Sequence, residues 1–270
     1  MRSILNAAGV VFADSETRWL LHAATGSRPT VLLDGESDIG EAAEQRAIEL
    51  ARRRARGEPL QYVTGVAGFR HLELAVGPGV FIPRPETELV AERAMERLPS
   101  GGTLVDVGTG SGAIALAVAY ERSDARVVAT DSSVAALAWA EKNRDGLGLS
   151  VELIRCDLLD GVPAELRGEV DVVVSNPPYV PEGDDSLLAR DVVRHEPHEA
   201  LFAGGNGLEA IARVGDLARA WLRRRGWLVL EIGFDQADAV TETLRRLEYE
   251  LVSVTRDLAG RDRIAEARRA

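Results

Sequence analysis

The sequence predicts an α/β protein, with an open, mostly parallel β-sheet covered by helices on both faces and a smaller helical region before it. From residue 103 onward, strand-length apolar runs alternate with helix-length amphipathic segments, the pattern of such a sheet. A glycine-rich loop joins the first of these strands to a helix. The predicted strands are 103–107, 125–130, 151–156, 170–175, 226–232, about 249–255 and 263–268, and the predicted helices are 112–121, 133–144, 207–224 and 236–247.

Residues 1 to about 60 are predicted to be helical. Ser15 is a candidate N-cap for one helix, and Asp38 with Glu41 resembles a capping box for another, which Gly57 ends. The stretch "GFRHLELAVGPGVFIP" alternates apolar and polar residues, which predicts a β-hairpin. Pro85 is placed to begin the next helix. We expect a domain boundary near residue 80, between a helical domain of residues 1–80 and an α/β domain of residues 81–270.

Composition narrows the class of protein. The chain has 270 residues, 46% of them apolar, and a net charge of −11. This charge argues against a broad phosphate-binding surface. A single cysteine, Cys156, excludes a disulfide framework and a thiolate zinc site, and no metal site is predicted. The amino terminus carries neither an export-type cleavage region nor an uninterrupted apolar span, so we expect a cytoplasmic protein without membrane contact.

The stretch "LVDVGTGSGAIALAVA" predicts a ligand-binding loop. Gly108, Gly110 and Gly112 follow a buried strand and open a helix, where glycines permit positive φ and close approach of a ligand to the backbone. The alternative is a tight strand-to-helix turn. Asp131 follows the next strand and could accept hydrogen bonds from both ribose hydroxyls. It could also cap the following helix, as could Ser132.

These features together indicate a nucleoside-bearing cofactor, and they do not separate NAD from S-adenosylmethionine. Asp157, after the third strand, could accept a hydrogen bond from an adenine amino group, or it could be an ordinary loop acid. A NAD-dependent reductase is the weaker choice, since no paired Tyr and Lys is apparent.

The stretch "DVVVSNPPYV" is the most specific feature. Pro177 and Pro178 fix φ and carry no N–H donors, so that the carbonyls of Asn176 and Pro177 remain free to accept hydrogen bonds. With the Asn176 side-chain oxygen, they are suited to hold a planar –NH2 group, against whose face Tyr179 would lie. The electrophile implied is the sulfonium methyl of S-adenosylmethionine. The alternative is a proline-stiffened turn at a strand end.

Asn-Pro-Pro-Tyr after the fourth strand, with a D-x-G-x-G-x-G loop, resembles the S-adenosylmethionine-dependent methyltransferases of amino and amide groups. Further stretches resemble the HemK/PrmC family, which methylates the glutamine of the Gly-Gly-Gln motif in class I peptide-chain release factors. They are "GEPLQYVTG", "FIPRPETELV", "EPHEALFAGGNGLE", "EIGFDQ" and "DLAGRDRI". The resemblance spans residues 15 to 265. It implies a Rossmann-like class I methyltransferase domain with a seven-stranded sheet, and a small helical amino-terminal domain, joined by a β-hairpin, that would recognise the substrate.

The resemblance also implies roles for individual residues. The loop from Gly108 to Gly112, with Thr109 and Ser111, would line the methionine and ribose portions of S-adenosylmethionine, and Asp131 would hold the ribose hydroxyls. Asp157 and Leu158 would flank the adenine, although some family members place a tryptophan at position 158. Asn176 would also contact the cofactor. The remaining implied roles concern the substrate: binding by Asn176, Pro177, Pro178 and Tyr179, catalysis by Asn176, Pro177 and Tyr179, and packing over the cofactor by Phe81 and the segment 84–88.

Other substrates remain possible at this point. A nucleic-acid amino methyltransferase would use the Asn-Pro-Pro-Tyr segment in the same way, to hold an exocyclic –NH2 group. Such an enzyme usually needs a basic face and a base-flipping pocket. The chain has a local basic run, "ARRRARG", which also fits a solvated helix face. A ribosomal-protein glutamine is a third substrate class, and a non-catalytic cofactor-binding protein a fourth reading. We expect a release factor as partner and no direct nucleic-acid binding. His195 and His198 are predicted to be surface or packing residues.

Overall fold

The computed structural model describes residues 1–26, 39–184 and 188–270. Within these ranges the chain begins with four helices that bury Leu5, Leu20, Leu50 and Val63 against one another. An antiparallel hairpin follows them, as predicted. The helices are α1 (Arg2–Ala7), α2 (Ala13–Thr25), α3 (Glu41–Ala55) and α4 (Leu60–Thr64), and the hairpin strands are β1 (Val66–Phe69) and β2 (Leu72–Ala75).

The helix ends differ in detail from the prediction. Helix α2 begins at Ala13, so Ser15 lies inside its first turn and its hydroxyl donates to the Phe12 carbonyl at 3.0 Å. The prediction that Ser15 is the N-cap is therefore wrong. Helix α3 begins at Glu41. The capping role predicted for Asp38 falls outside the described residues.

A seven-stranded sheet forms the centre of the rest of the chain, with the strand order β5-β4-β3-β6-β7-β9-β8. The first five strands in this order pair in parallel, while β9 runs antiparallel to both of its neighbours. The chain moves outward from β3 to β4 and β5 and then returns to place β6 on the other side of β3. The strands are β3 (Thr103–Val107), β4 (Arg126–Asp131), β5 (Glu152–Arg155), β6 (Val170–Ser175), β7 (Leu222–Glu231), β8 (Tyr249–Arg256) and β9 (Asp262–Arg269).

Helices cover both faces of this sheet, as predicted, because alternate residues of each central strand point to opposite faces. Leu104, Val172 and Val229 pack on one face with α5 (Pro85–Arg97) and α6 (Ala113–Glu121). Val105 and Val173 pack on the other face with α9 (Glu209–Trp221) and α10 (Ala237–Arg246). Two further helices, α7 (Val134–Leu147) and α8 (Arg190–His195), follow β4 and β6 respectively.

One predicted helix is too long. Helix α9 ends at Trp221, and residues 222–224 belong to β7, where Leu222 pairs with Val170. The three consecutive arginines at 223–225 are compatible locally with a helix or a strand, and pairing with the neighbouring strand β6 makes this segment a strand. The short helix α8 was not predicted. No helix among the described residues combines the length and the hydropathy needed to cross a bilayer.

The amino-terminal helices contact the sheet-containing part at two places. The Tyr62 hydroxyl of α4 donates to the Val80 carbonyl, and Tyr62 is buried with Val76 and Ile82. Arg54 of α3 lies 3.5 Å from the carboxylate of Asp191 in α8. The first contact ties the segment before α5 to helix α4, and the second ties α3 to α8. The domain boundary at residue 80 stays a prediction.

Candidate active site

A cleft of about 300 Å³ opens at the carboxyl ends of β3 and β6. This is the point at which the strand order reverses, where open α/β sheets bind their ligands. Most of the residues singled out in the sequence line it: Gly108, Thr109, Gly110, Ser111, Asp131, Asp157, Leu158, Asn176, Pro177 and Pro178. The fold thus brings together predicted residues from four strand ends.

The glycine loop is tied to the end of β4. The backbone N–H groups of Gly108 and Thr109 both donate to the Thr130 carbonyl, at 2.8 and 2.9 Å. Gly108 and Gly110 have φ of 72° and 59°, the region that glycine adopts without strain. Gly112 stands behind the cleft as the N-cap of α6, with φ of 86°. Gly112 therefore has a structural role in the turn, and its predicted contact with a cofactor stays a prediction.

Asp106, at the end of β3, is a buried carboxyl group that the sequence analysis did not single out. Its Oδ2 accepts from the Thr109 hydroxyl at 2.7 Å and from the Ala115 N–H at 3.1 Å. Its Oδ1 accepts no hydrogen bond from any residue that the structure describes, although Asp106 lies on the cleft wall. Burial raises the pKa of Asp106 to about 7. A buried acceptor without a partner suits a cationic ligand group, such as the ammonium of a methionine moiety.

Asp131, at the end of β4, is held in place by backbone donors. Its Oδ2 accepts from the Gly110 N–H and its Oδ1 from the Ser133 N–H, both at 2.9 Å. Burial raises the pKa of Asp131, against these hydrogen bonds. Ser133, rather than Asp131 or Ser132, caps α7 through its side chain. Each Asp131 oxygen keeps a lone pair, so that the carboxylate remains able to accept ribose hydroxyls.

The wall formed by Asp157 and Leu158 is less enclosed. Asp157 is more than half exposed and forms an ion pair of 2.8 Å with Arg213 of α9. Leu158 has a φ of 49°, and its carbonyl accepts from the Thr130 hydroxyl at 2.7 Å. This bond fixes the loop so that an apolar side chain and an acid face the cleft together. Both residues line the cleft, and their contact with an adenine stays a prediction.

The Asn-Pro-Pro-Tyr segment leaves β6 directly at the cleft. The Ser175 hydroxyl donates to the Val107 carbonyl at 2.6 Å, which ties the ends of β6 and β3 together. The Asn176 Nδ2 donates to Oγ1 of Thr87 at 3.2 Å. Thr87 belongs to the first turn of α5 and in turn donates to Oε2 of Glu231 at 2.6 Å. The sequence analysis named the segment 84–88 but missed the specific partnership of Thr87 with Glu231.

Tyr179 stands behind the cleft wall. Its hydroxyl lies 3.4 Å from Oε1 of Glu231, and its backbone carbonyl accepts from Nε2 of Gln236 at 3.0 Å. The partly buried Tyr179 packs against the buried apolar cluster on the side of α9 and β7. In this arrangement Tyr179 supports the segment, and the predicted contact of its ring with a substrate amide stays a prediction.

The segment before α5 closes one side of the cleft. Phe81 lines the cleft, and the guanidinium of Arg84 stacks on its ring at 4.6 Å. Arg84 also pairs with the buried Glu196 at 2.5 Å, and Glu196 accepts from the Ile82 N–H at 3.0 Å. Phe81 therefore lies at the cleft, and its packing over a cofactor stays a prediction. Sequence reasoning quoted the stretch around Glu196 without assigning it this role.

The two histidines after the motif lie on the surface, as predicted. His195 ends α8, and the exposed ring of His198 stacks on Phe202 with 4.4 Å between ring centroids. Neither lines the cleft. The described residues that line it offer no histidine, cysteine or lysine, so the chemistry available there is hydrogen bonding and positioning.

Comparison with known proteins agrees with this site. The family model described as "Methyltransferase small domain" matches residues 73–214, and the model described as "PrmC N-terminal domain" matches residues 1–65. A solved structure of the T. thermophilus 16S rRNA N2 G1207 methyltransferase, in complex with AdoMet and guanosine, is similar to this chain with a TM-score of 0.55 and 21% sequence identity. The match covers 76% of this chain and 50% of the solved chain. The fold and the cleft define an S-adenosylmethionine-dependent methyltransferase of the Rossmann-like class.

Curated relatives narrow the class to one family. A release factor glutamine methyltransferase of Neisseria gonorrhoeae is 42% identical over 251 residues, covering 92% of this chain and 91% of the relative. One of Moorella thermoacetica is 44% identical over 266 residues, covering 96% and 92%. The chain belongs to the release factor glutamine methyltransferase family.

Proposed function

We propose that this protein transfers the methyl group of S-adenosylmethionine to the side-chain nitrogen, N5, of the glutamine in the Gly-Gly-Gln motif of class I peptide-chain release factors. One observation carries the proposal: the cofactor loop and the Asn176 amide form adjoining walls of a single cleft. The relatives named above support the protein substrate, and the product would be S-adenosylhomocysteine.

The residues of the cleft fit the cofactor. Asp106 offers an unpartnered buried oxygen to its ammonium, Asp131 offers acceptors to its ribose hydroxyls, and the wall of Leu158 and Asp157 suits its adenine. When bound, S-adenosylmethionine supplies a methyl group activated by a sulfonium centre. Gly108 and Gly110 of the glycine loop line the cleft and let a ligand approach the backbone where a Cβ would interfere.

The substrate amide would be held by its two N–H bonds. The Asn176 side-chain oxygen and the backbone carbonyls of Asn176 and Pro177 are acceptors that residues on the cleft wall offer. Hydrogen bonds to these acceptors raise the electron density on nitrogen and stabilise the positive charge that develops as it attacks. Holding the reacting atoms in line contributes roughly 7–11 kcal/mol in favourable systems. No covalent intermediate with the protein is required, and the amide proton is free to leave to solvent.

A nucleic-acid base is the second candidate substrate, since an exocyclic amine presents the same two N–H bonds. The observation that weighs against it is charge. Among the described residues that line it, the cleft has four acids, Asp106, Asp131, Asp157 and Glu199, and one arginine, Arg213, and the net charge of the whole chain is −11. Phosphate backbones require the opposite balance.

The proposed function is tested by transfer of labelled methyl from S-adenosylmethionine to a purified, unmethylated release factor. A matched substrate carries alanine in place of the Gly-Gly-Gln glutamine. Label on the first substrate and none on the second supports both the reaction and the site. Label on neither, with label on RNA, DNA or a ribosomal protein, would contradict the proposed substrate while keeping the methyl-transfer chemistry.

A further inference from the structure

We propose that Thr87 and Glu231 are positioning residues that fix the orientation of the Asn176 side-chain amide, so that its oxygen rather than its nitrogen faces the substrate. This inference rests on the proposed function, because it concerns how the substrate amide is gripped. It assigns a role to two buried residues: Thr87, which lines the cleft beside Asn176, and Glu231, which lies behind it.

Three elements converge on this chain of hydrogen bonds. Asn176 follows β6, Thr87 lies in the first turn of α5, and Glu231 ends β7. Nδ2 of Asn176 is 3.2 Å from Oγ1 of Thr87, which is 2.6 Å from Oε2 of Glu231. Thr87 and Glu231 are 3% and 1% exposed, so water has little access to replace either partner. The chain of bonds is therefore held by the packing of the protein core.

The direction of each bond follows from the count of protons. An ionised carboxylate only accepts, so the single hydroxyl proton of Thr87 is committed to Glu231. Thr87 then has only lone pairs left for Asn176. The Asn176 amide must present its NH2 group to Thr87, which leaves Oδ1 for the cleft. If the amide were reversed, its NH2 would face the NH2 of the substrate, and two donors cannot form a hydrogen bond.

The surroundings of Glu231 determine whether it accepts from Thr87. Its neighbours are the hydroxyls of Thr87 and Tyr179, the positive charge of Arg263 and the negative charge of Glu86. Burial raises the pKa of Glu231 to about 7, opposed by the Thr87 hydrogen bond and by Arg263. A protonated Glu231 could donate to Thr87 and release the Thr87 proton toward Asn176. The ionised form is thus the one that sets the productive orientation.

The same carboxylate also holds the far end of the motif. The Tyr179 hydroxyl lies 3.4 Å from Oε1 of Glu231, and burial raises the pKa of Tyr179, so that the phenol stays protonated and donates. Asn176 and Tyr179 thus connect to the two oxygens of one side chain. Between them stand two prolines of fixed φ. Glu231 therefore locks both ends of a short rigid segment.

The test compares Thr87→Val, which removes the hydroxyl at constant shape, with Thr87→Ser, which keeps it. We expect Thr87→Val to lower kcat for release-factor methylation at least tenfold, with the Kd for S-adenosylhomocysteine within about threefold of the unsubstituted protein. Thr87→Ser should restore most of the lost kcat. Unchanged kcat in Thr87→Val, or an equal loss in both variants, would overturn the inference, because a purely packing role does not distinguish hydroxyl from methyl in this way.

A second measurement does not depend on the substrate. The Asn176 side-chain NH2 resonances are assigned by NMR through their absence in Asn176→Asp, and their hydrogen exchange is followed. We expect exchange at least tenfold faster in Thr87→Val than in the unsubstituted protein or in Thr87→Ser. Equal exchange in all three would overturn the inference. A protein that fails to methylate a release factor but shows this protection would contradict the proposed function alone.

Discussion

The carboxylate of Glu196 accepts a hydrogen bond of 3.0 Å from the backbone N–H of Ile82, a residue 114 positions earlier in the chain. The same carboxylate pairs with Arg84, whose guanidinium stacks on Phe81 at the cleft. One buried acid in the loop after Asn-Pro-Pro-Tyr thus fixes the segment that closes the cofactor side of the cleft. Neither segment contains a signal that it should contact the other.

We expect Glu196→Ala to lower the free energy of unfolding by about 2–4 kcal/mol, because it leaves the Ile82 N–H and the Arg84 guanidinium without their buried acceptor. Urea denaturation measures the change. The matched control is Glu199→Ala, an exposed acid in the same loop, which should change the value by less than about 0.5 kcal/mol. Equal stability of the two variants would contradict the importance of this contact.

Asn176→Ala should abolish most turnover and leave cofactor binding within a few-fold. The loss in kcat should correspond to at least the roughly 1–3 kcal/mol of a donor left unpaired, which is about five- to 150-fold. Steady-state kinetics with a release factor give kcat, and calorimetry with S-adenosylhomocysteine gives the Kd. A fall in kcat accompanied by an equal fall in affinity for S-adenosylhomocysteine would mean that Asn176 does not act on the substrate.

Asp131 and Asp157 should differ in their effect on cofactor affinity, although both acids line the cleft. Asp131→Asn removes an acceptor that also holds the Gly110 and Ser133 N–H groups, and we expect the Kd for S-adenosylhomocysteine to rise at least about tenfold, equivalent to roughly 1.4 kcal/mol. Asp157 is exposed and already paired with Arg213, so Asp157→Asn should raise the Kd less than about threefold. A larger effect at Asp157 would reverse the assignment of the two sites.

Gly112→Ala should be more destabilising than Gly108→Ala. Both positions have left-handed backbone conformations, at φ of 86° and 72°, which cost an L-residue roughly 1–2 kcal/mol. A Cβ at position 112 would also lie 2.8 Å from Cδ1 of Leu116, whereas one at position 108 has no atom within 4 Å. Overpacking of this kind adds about 1–3 kcal/mol. Thermal or urea unfolding of the two variants decides the order, and equal losses would show that Leu116 moves aside without cost.

The kcat for methyl transfer should increase as the pH is raised through about 7. Glu231 has a pKa raised to about 7 by burial, and its ionised form commits the Thr87 proton away from Asn176. Below this pH the carboxyl group is protonated, so kcat should fall by up to tenfold per pH unit and level off above it. The profile of kcat at saturating cofactor is the measurement.

Asp106 also has a pKa near 7, and it is the group that could confuse this profile. Binding of a cationic cofactor favours the ionised form of Asp106, so its titration should appear in cofactor affinity rather than in kcat. The control is Glu231→Gln, which cannot ionise and should lose the ascending limb of kcat. A limb that persists in Glu231→Gln would assign the titration to another group.

Much of the fold could be predicted from local pattern. The strands 103–107 and 170–175 were predicted with the bounds that the structure gives them, because continuous β-branched runs between turn residues have few other solutions. The same holds for Pro85 as the first residue of α5. Where local preference was ambiguous, as at residues 222–224, the prediction chose the helix and pairing with β6 made a strand.

Part of the candidate site could likewise be predicted from the sequence, and part depends on packing. The sequence determined which residues stand at the carboxyl ends of the four strands around the cleft, because each follows a recognisable strand and the carboxyl ends of parallel strands meet at one edge of the sheet. These residues are the glycine loop, Asp131, Asp157 and Asn176. It could not place Gly112 and Tyr179 behind the cleft wall, since the direction of a side chain depends on its packing.

The links among Asn176, Thr87 and Glu231, and between Glu196 and Ile82, were decided by the tertiary structure alone. Their partners are 89, 144 and 114 positions apart, and no periodicity relates them. A hydrogen bond has a short range and a strict direction, so its partners are known only once the elements that carry them have packed. Local sequence therefore fixed which groups are available for the chemistry, and the packed core fixed how they are oriented.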